Sequence, residues 1–240
     1  MLGFVSPDEF IPIAEQSGMI HILTRWVIRS ALADLALWHD RWPNLRMSVN
    51  MSTRNLLDPT FVADVTGLLD ESGIDPGKLT LELTESSVMG DPARSLVMLG
   101  QLHDLGLRLA IDDFGTGYSS LSYLKRLPVH EVKIDKSFVM TMAADADDTV
   151  IVRSTIDLGH NLGLQTVAEG VEDLETWNLL LGLGCDMAQG YFMSKPMAPE
   201  LLTAWLADRT LDERVVRYLP TTPPVVEQPT SVRRYIAHAS

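Results

Sequence analysis

An α/β fold of parallel strands closing into a (β/α)8-type, TIM-barrel-like wall is what this sequence predicts, on three observations. Apolar, strand-like runs alternate with helical stretches, and the crossovers between successive strands are long enough for parallel pairing. Six successive strands each end on one polar group: Asn50, Glu82, Asp112, Lys133, Glu169 and Gln189. The C-terminal edge of the strands is where barrels of this type build their active sites. An open doubly wound sheet would instead gather its ligands near one switch point, and no glycine-rich phosphate turn follows the first strand to support it.

Each element has a local reason. Ser6-Pro7-Asp8-Glu9 reads as a helix start: Ser6 caps, Pro7 suits the first turn, and the acids favour the positive end of the dipole. That short helix ends near Gly18. Ile20 to Trp38 keeps helical spacing through Ile22, Leu23, Trp26, Val27, Ala31 and Leu35, with Trp26 and Trp38 expected to pack in the core or between helices. Met47 to Asn50 is the first strand, Asp58-Pro59 opens a helix to about Ser72, and Leu79 to Thr84 is the second strand. Asp91-Pro92 starts a helix that Gly106 ends, and Arg108 to Asp113 is the third strand. A short helix over Leu121 to Arg126 stops before Pro128, and Glu131 to Asp135 is the fourth strand. Helices over Asp147–Leu162, Leu174–Leu181 and Pro199–Asp208 frame two more strands, Gln165–Glu169 and Asp186–Gln189. From residue 210 to 240 the chain turns proline-rich and reads as a disordered tail, with at most a short helix near Val215 to Tyr218.

Composition excludes several classes. With 240 residues and 46% hydrophobic content the chain can build one large α/β domain. No run reaches the ~18 apolar residues of a membrane span, and no secretory signal pattern is evident, so a cytoplasmic setting is expected. The single cysteine, Cys185, excludes an internal disulfide and reads as a small core residue. A net charge of −13 argues against wrapping bulk nucleic acid, but not against one small anion held through metals. His21, His39, His103, His130, His160 and His238 show no zinc spacing, and there is no Gly-x-Ser-x-Gly elbow.

The chemistry concentrates in Arg108-Leu-Ala-Ile-Asp-Asp-Phe-Gly-Thr-Gly-Tyr-Ser-Ser120. Asp112 and Asp113 sit where an apolar strand ends, and Gly115 and Gly117 punctuate the loop after them. Adjacent carboxylates repel unless a cation lies between them, and oxygen-rich sites suit magnesium or manganese. A solvated turn also favours Asp and Gly, but the strand before the pair and the loop after it support the metal reading. Asn50, Glu82 and Asp112 offer one neutral and two anionic oxygens to a hard divalent ion, and Asp113 could hold a second ion with Asp112 bridging. Two ions ~3.5–4 Å apart can stabilise both the attacking and the leaving oxygen of a phosphodiester hydrolysis. Glu169, between Ala168 and Gly170, suits either a general base or a ligand of the second ion. Gln189 is placed to hydrogen-bond a substrate group. Lys133, a cation ending an apolar strand, also suits a salt-bridged structural role.

Asp112-Asp-Phe-Gly-Thr-Gly-Tyr-Ser-Ser-Leu121 resembles the signature loop of EAL domains, bacterial phosphodiesterases that open cyclic di-GMP to linear pGpG. Val5-Ser-Pro-Asp-Glu-Phe-Ile11, Asn50-Met-Ser52, Glu82-Leu-Thr-Glu-Ser86, Val132-Lys-Ile-Asp135, Ala168-Glu-Gly-Val-Glu172 and Gln189-Gly-Tyr-Phe192 follow the family order, from about Gly3 to Leu206. The resemblance implies a TIM-barrel-like EAL fold over residues 1–209, Mg2+ or Mn2+ as cofactor, and metal ligation by Asn50, Glu82, Asp112 and Asp113. It implies that Lys133 orients the attacking water and screens the phosphate, that Glu85 braces the Phe114–Ser120 loop, and that Glu172 supports the site. On its own residues Glu85 would read as a solvated strand end. The implied partners are cyclic di-GMP, a second copy in a homodimer, and a sensor or cyclase module upstream in a longer native protein. The Glu-Ala-Leu tripeptide that names the family does not occur here. By the resemblance it lies upstream of Met1 together with the first two strands, which predicts weak activity, open strand edges and uncovered Val49, Leu81 and Val167. The competing expectation is an inactive domain that binds cyclic di-GMP or a protein without hydrolysis.

Overall fold

In the computed structural model, residues 5–117, 121–209 and 237–238 are described. Helices α1 (Pro7–Ser17) and α2 (Ile20–Trp38) lead into β1 (Met47–Asn50). Next come α3 (Thr53–Leu56), α4 (Phe61–Ser72), β2 (Leu79–Thr84), α5 (Glu85–Gly90), α6 (Pro92–Asp104) and β3 (Arg108–Phe114). Then follow α7 (Leu121–Leu124), β4 (Glu131–Ile134), α8 (Lys136–Val139), α9 (Ala146–Asn161), β5 (Gln165–Ala168), α10 (Leu174–Leu183), β6 (Met187–Ala188), α11 (Pro199–Arg209) and β7 (Ala237–His238).

The strands form one sheet in the order β6-β5-β4-β3-β2-β1-β7, and every pair is parallel. All six expected strands are present. The sheet curls back on itself: Arg46, just before β1, reaches Met187 Sδ of β6 at 3.8 Å, although four strands lie between them in the sheet. Helix α11 closes against α2 through Trp38 Nε1, which donates to Thr203 Oγ1 at 2.9 Å. This is the parallel, barrel-like α/β architecture that the sequence predicts.

Register explains the two faces of the wall. Asn50 pairs with Glu82, Glu82 with Ala110, and Lys133 with Val167, and in-register residues of parallel strands point to the same side. That side is the interior, and it carries polar groups. Met47, Val49, Leu79, Leu81, Leu109 and Ile111 alternate with it and join α2, α4 and α6 in one continuous core. Val49, Leu81 and Val167 are all buried, which corrects the expectation that they would be uncovered. Val49 and Leu81 lie on the helix-facing side, and Val167 is enclosed although it shares the side of Lys133. Truncating a buried leucine such as Leu81 or Leu99 would cost about 2–5 kcal/mol.

Several local expectations change. Trp38 is buried, but Trp26 is 63% exposed and is not a core residue. Ser6 makes no side-chain cap, although Pro7 does start α1 and Gly18 ends it at φ 75. The interior floor holds an ionic cluster: Glu131 Oε1 accepts from Arg46 at 3.2 Å and from Arg108 at 2.8 Å, and Arg108 also reaches Gln165. Tyr118, Ser119, Ser120 and residues 210–236 lie outside the described residues, including the helix expected near Val215 to Tyr218. Within the expected tail, Ala237–His238 is a strand on β1.

Candidate active site

The site is built where β1 to β5 end. Lys133 of β4 is enclosed by acids from three other strands or strand ends. Its Nζ lies 2.6 Å from Glu82 Oε2, 3.2 Å from Asp112 Oδ1 and 2.5 Å from Glu169 Oε1. Burial alone would pull the ammonium pKa down, but Glu82, Asp112 and Glu169 outweigh it and hold it above the ordinary lysine range. Burial pushes the Glu169 carboxyl up to about 7, with Lys133 opposing the shift and Asp112 adding to it. Three carboxylates around one ammonium leave net negative charge in a desolvated place, which is how a cation site is prepared.

Asp112 and Asp113 are adjacent, so an unbroken strand would send them to opposite faces. The β3–β4 register shifts between Ile111 and Phe114, and Asp113 takes φ 52, the only positive φ of a non-glycine among the described residues. This bulge turns the second carboxylate to the same side as the first. Asp112, Asp113 and Glu169 each offer an oxygen within 4.8 Å of the others. Such an all-oxygen anionic set fits a hard divalent ion. Asn50 is exposed at the end of β1, one strand away and in register with Glu82.

Asp135 is a member of this neighbourhood that sequence reasoning passed over. It shares a hydrogen bond with the Asp113 side chain, and burial together with Asp112 and that bond raises the Asp113 pKa. Burial would also raise Asp135, but hydrogen bonds from Ser137 and Asp113 hold it below the usual carboxylate range. Its backbone role was visible in Asp135-Lys-Ser137, a cap pattern: its carboxylate accepts from the Ser137 N–H at 2.9 Å and starts α8.

The remaining candidates are placed unequally. Glu85, buried at the start of α5, accepts the Gly115 N–H at 3.0 Å through Oε2. A Cβ on Gly117 would lie 2.6 Å from Glu85 Oε1, so glycine is what lets the loop approach that carboxylate. Gln189 stands beside Glu169 on the next strand, its N–H donating to Ala168 O at 2.8 Å. Its buried Oε1 has no donor among the described residues. Gln189 also lines a cavity of about 140 Å³ with Leu45, Tyr191, Lys195 and Trp205, and none of the clustered acids lines it. Glu172 is exposed after β5 and takes no part in the ion pairs around Lys133. Cys185 is buried, and burial pushes its thiol up to about 11, as an inert core residue requires. No helix among the described residues is long and apolar enough to cross a membrane.

The family model described as "EAL domain" matches residues 1–196. The bifunctional diguanylate cyclase/cyclic di-GMP phosphodiesterase MucR of Pseudomonas aeruginosa is 42% identical over 209 residues, 85% of this chain and 30% of that protein. The cyclic di-GMP phosphodiesterase NbdA of the same organism is 40% identical over 205 residues, 85% of this chain and 26% of that protein. The chain therefore spans about a third or less of the curated relatives it matches. Among solved structures, the MucR phosphodiesterase in complex with c-di-GMP aligns with a TM-score of 0.81 at 42% identity, covering 83% of this chain and 81% of that one. A family match over most of the chain, joined to the same fold at substantial identity, means that this chain belongs to the EAL domain family.

Proposed function

We propose that this chain, through an EAL domain over residues 1–209, hydrolyses cyclic di-GMP to linear pGpG in bacterial second-messenger signalling. The observation that carries the reading is the cluster of Glu82, Asp112 and Glu169 around Lys133, with Asp113 turned in beside it by a bulge. Asn50, Glu82, Asp112 and Asp113 would hold one or two Mg2+ or Mn2+ ions. Bound ions of this class neutralise phosphate charge and lower the pKa of water.

The chain's own residues supply the rest. Glu169, with its carboxyl poised near neutrality, accepts the proton of the attacking water. Lys133 orients that water and keeps Glu169 in place through their ion pair. Glu85 holds the Gly115 backbone, and so fixes the loop that follows Asp113. Gln189 offers a carbonyl oxygen to the substrate, and Glu172 supports the site from outside it. The MucR complex with c-di-GMP supports this ligand, and the cyclase part of MucR supports a cyclase or sensor module within a longer cytoplasmic protein. A homodimer and a proline-rich tail over residues 210–240, joined to β1 at Ala237–His238, complete the proposal.

The test is turnover of cyclic di-GMP with Mn2+, with and without EDTA, in the wild type and in Glu169→Gln. Metal-dependent formation of pGpG that falls at least 100-fold in the variant is expected. Equal turnover in the two proteins would remove Glu169 from the reaction.

A further inference from the structure

β1 ends on Asn50, in register with Glu82 of β2. Among the described residues the Asn50 side chain makes no hydrogen bond, so its direction is set by the backbone that carries it. That backbone is fixed immediately afterwards. Met51 is buried, and its N–H donates to Glu82 O at 2.8 Å.

The next two residues are held by side chains from two helices. Ser52 Oγ donates to Glu15 Oε1 of α1 at 2.6 Å. Thr53 Oγ1 donates to Ser87 Oγ of α5 at 2.6 Å, and Ser87 Oγ lies 2.7 Å from Thr84 Oγ1. Glu15 and Ser87 are 37 and 34 residues away from their partners in the chain, so these are tertiary ties and not local caps.

Ser52 also begins α3, where it accepts the Arg54 N–H at 3.1 Å from an extended backbone. A serine hydroxyl has one proton and two lone pairs. With its proton given to Glu15, the oxygen is left as the acceptor for Arg54, and each bond strengthens the other. A carboxylate acceptor makes the bond from Ser52 charge-assisted, and its length is that of the strong class. Glu15 takes no part in the ion pairs around Lys133.

We propose that Glu15 is a positioning residue for the metal site: by holding Ser52 it fixes the turn after β1, and with it the direction of the Asn50 side chain. This rests on the reading of Asn50 as a metal ligand given above and deepens it. Thr53 keeps the same turn tied to α5, so loss of Glu15 loosens the turn without detaching it.

Mn2+ titration of the full chain without nucleotide, read by the electron paramagnetic resonance of free Mn2+, tests this together with amide hydrogen exchange. Glu15→Ala should weaken Mn2+ binding about tenfold and speed exchange at the Arg54 amide about tenfold, as loss of one charge-assisted bond allows. Exchange at Leu81 and Ile111 should stay unchanged. Glu15→Gln keeps a carbonyl acceptor for Ser52 and should stay within about threefold of the wild type in both measurements. Wild-type Mn2+ affinity in Glu15→Ala, while Asn50→Ala binds weakly, would overturn the proposal and leave the ligand assignment standing. Wild-type affinity in Asn50→Ala would remove Asn50 from the ligand set, and the proposal with it. Glu15→Gln as weak as Glu15→Ala would also overturn it, because the carboxylate charge would then act on the ion directly. So would lost protection at Leu81 and Ile111 in Glu15→Ala, because Glu15 would then hold the fold and not the turn.

Discussion

Lys133 reaches from β4 across β3 to Glu82 on β2, with Nζ 2.6 Å from Oε2 and both side chains no more than 2% exposed. Two non-adjacent strands are thus tied by one buried ion pair. Removing one partner of such a pair leaves uncompensated charge in a desolvated place. Lys133→Met should cost about 3–5 kcal/mol of stability, because Glu82, Asp112 and Glu169 would then face one another unscreened. Mn2+ should restore part of the loss by taking over the neutralisation. Urea unfolding at pH 7 in EDTA and in Mn2+ is the measurement. A variant as stable as the wild type in EDTA would mean that the ammonium does not hold the acids together.

Asp112→Asn should abolish metal-dependent turnover while leaving the fold intact. The Asp113 N–H donates to Asp112 Oδ1 at 3.0 Å, and an asparagine carbonyl can accept that bond equally well. What the change removes is one anionic oxygen from the set formed with Asp113 and Glu169. Turnover should fall at least 100-fold and Mn2+ affinity at least tenfold, with little change in Tm. Near wild-type activity at saturating Mn2+ would remove Asp112 from the ligand set.

Glu85→Ala should lower activity about tenfold without unfolding the domain, since it frees the Gly115 N–H and releases the loop after Asp113. A hydrogen bond to a charged group is worth about 1.5–3 kcal/mol, enough to loosen a loop and too little to unfold a domain. Glu85→Gln keeps an acceptor and should lie closer to the wild type. Unchanged turnover in Glu85→Ala, or a collapse of Tm, would each contradict the bracing role.

His130 makes stability depend on pH. Its Nδ1 accepts the Leu109 N–H at 3.1 Å, its ring stacks on His103 at 5.1 Å, and burial followed by nearby Arg108 lowers its pKa from 6.5. The unfolded chain then binds the proton more readily than the folded one, so stability rises with pH. The contribution is complete above about 6.5 and is lost as the pH falls toward the lower folded value. Tm measured between pH 7.5 and 5 should drop less in His130→Asn than in the wild type. Parallel Tm curves would show that His130 is not the titrating group.

Much of this was legible because each strand changes from apolar to polar at the end that carries the site. Asn50, Glu82, Asp112, Lys133 and Glu169 stand out for that reason, and the strand ends bring the last four together. The turn of Asp113 was not legible, because the bulge arises from β3–β4 register, a relation between segments rather than within one. Helices α3, α5 and α8 span only four to six residues, too short to show a periodic apolar face. Arg46, Arg108 and Glu131 look like solvated strand starts in sequence; the pairing of β3 with β4 joins Arg108 to Glu131, and the curl of the sheet brings Arg46 to them. Trp26 kept helical spacing yet lies on the outer face of α2, where periodicity alone cannot say what covers it.

The most direct measurement is product analysis after incubating cyclic di-GMP with the full chain and Mn2+. The predicted result is pGpG accumulating over many turnovers per protein molecule, and none when EDTA is present or Asp112 is Asn. Tight binding of intact cyclic di-GMP with no pGpG would contradict hydrolysis and identify a binding module built on the same fold.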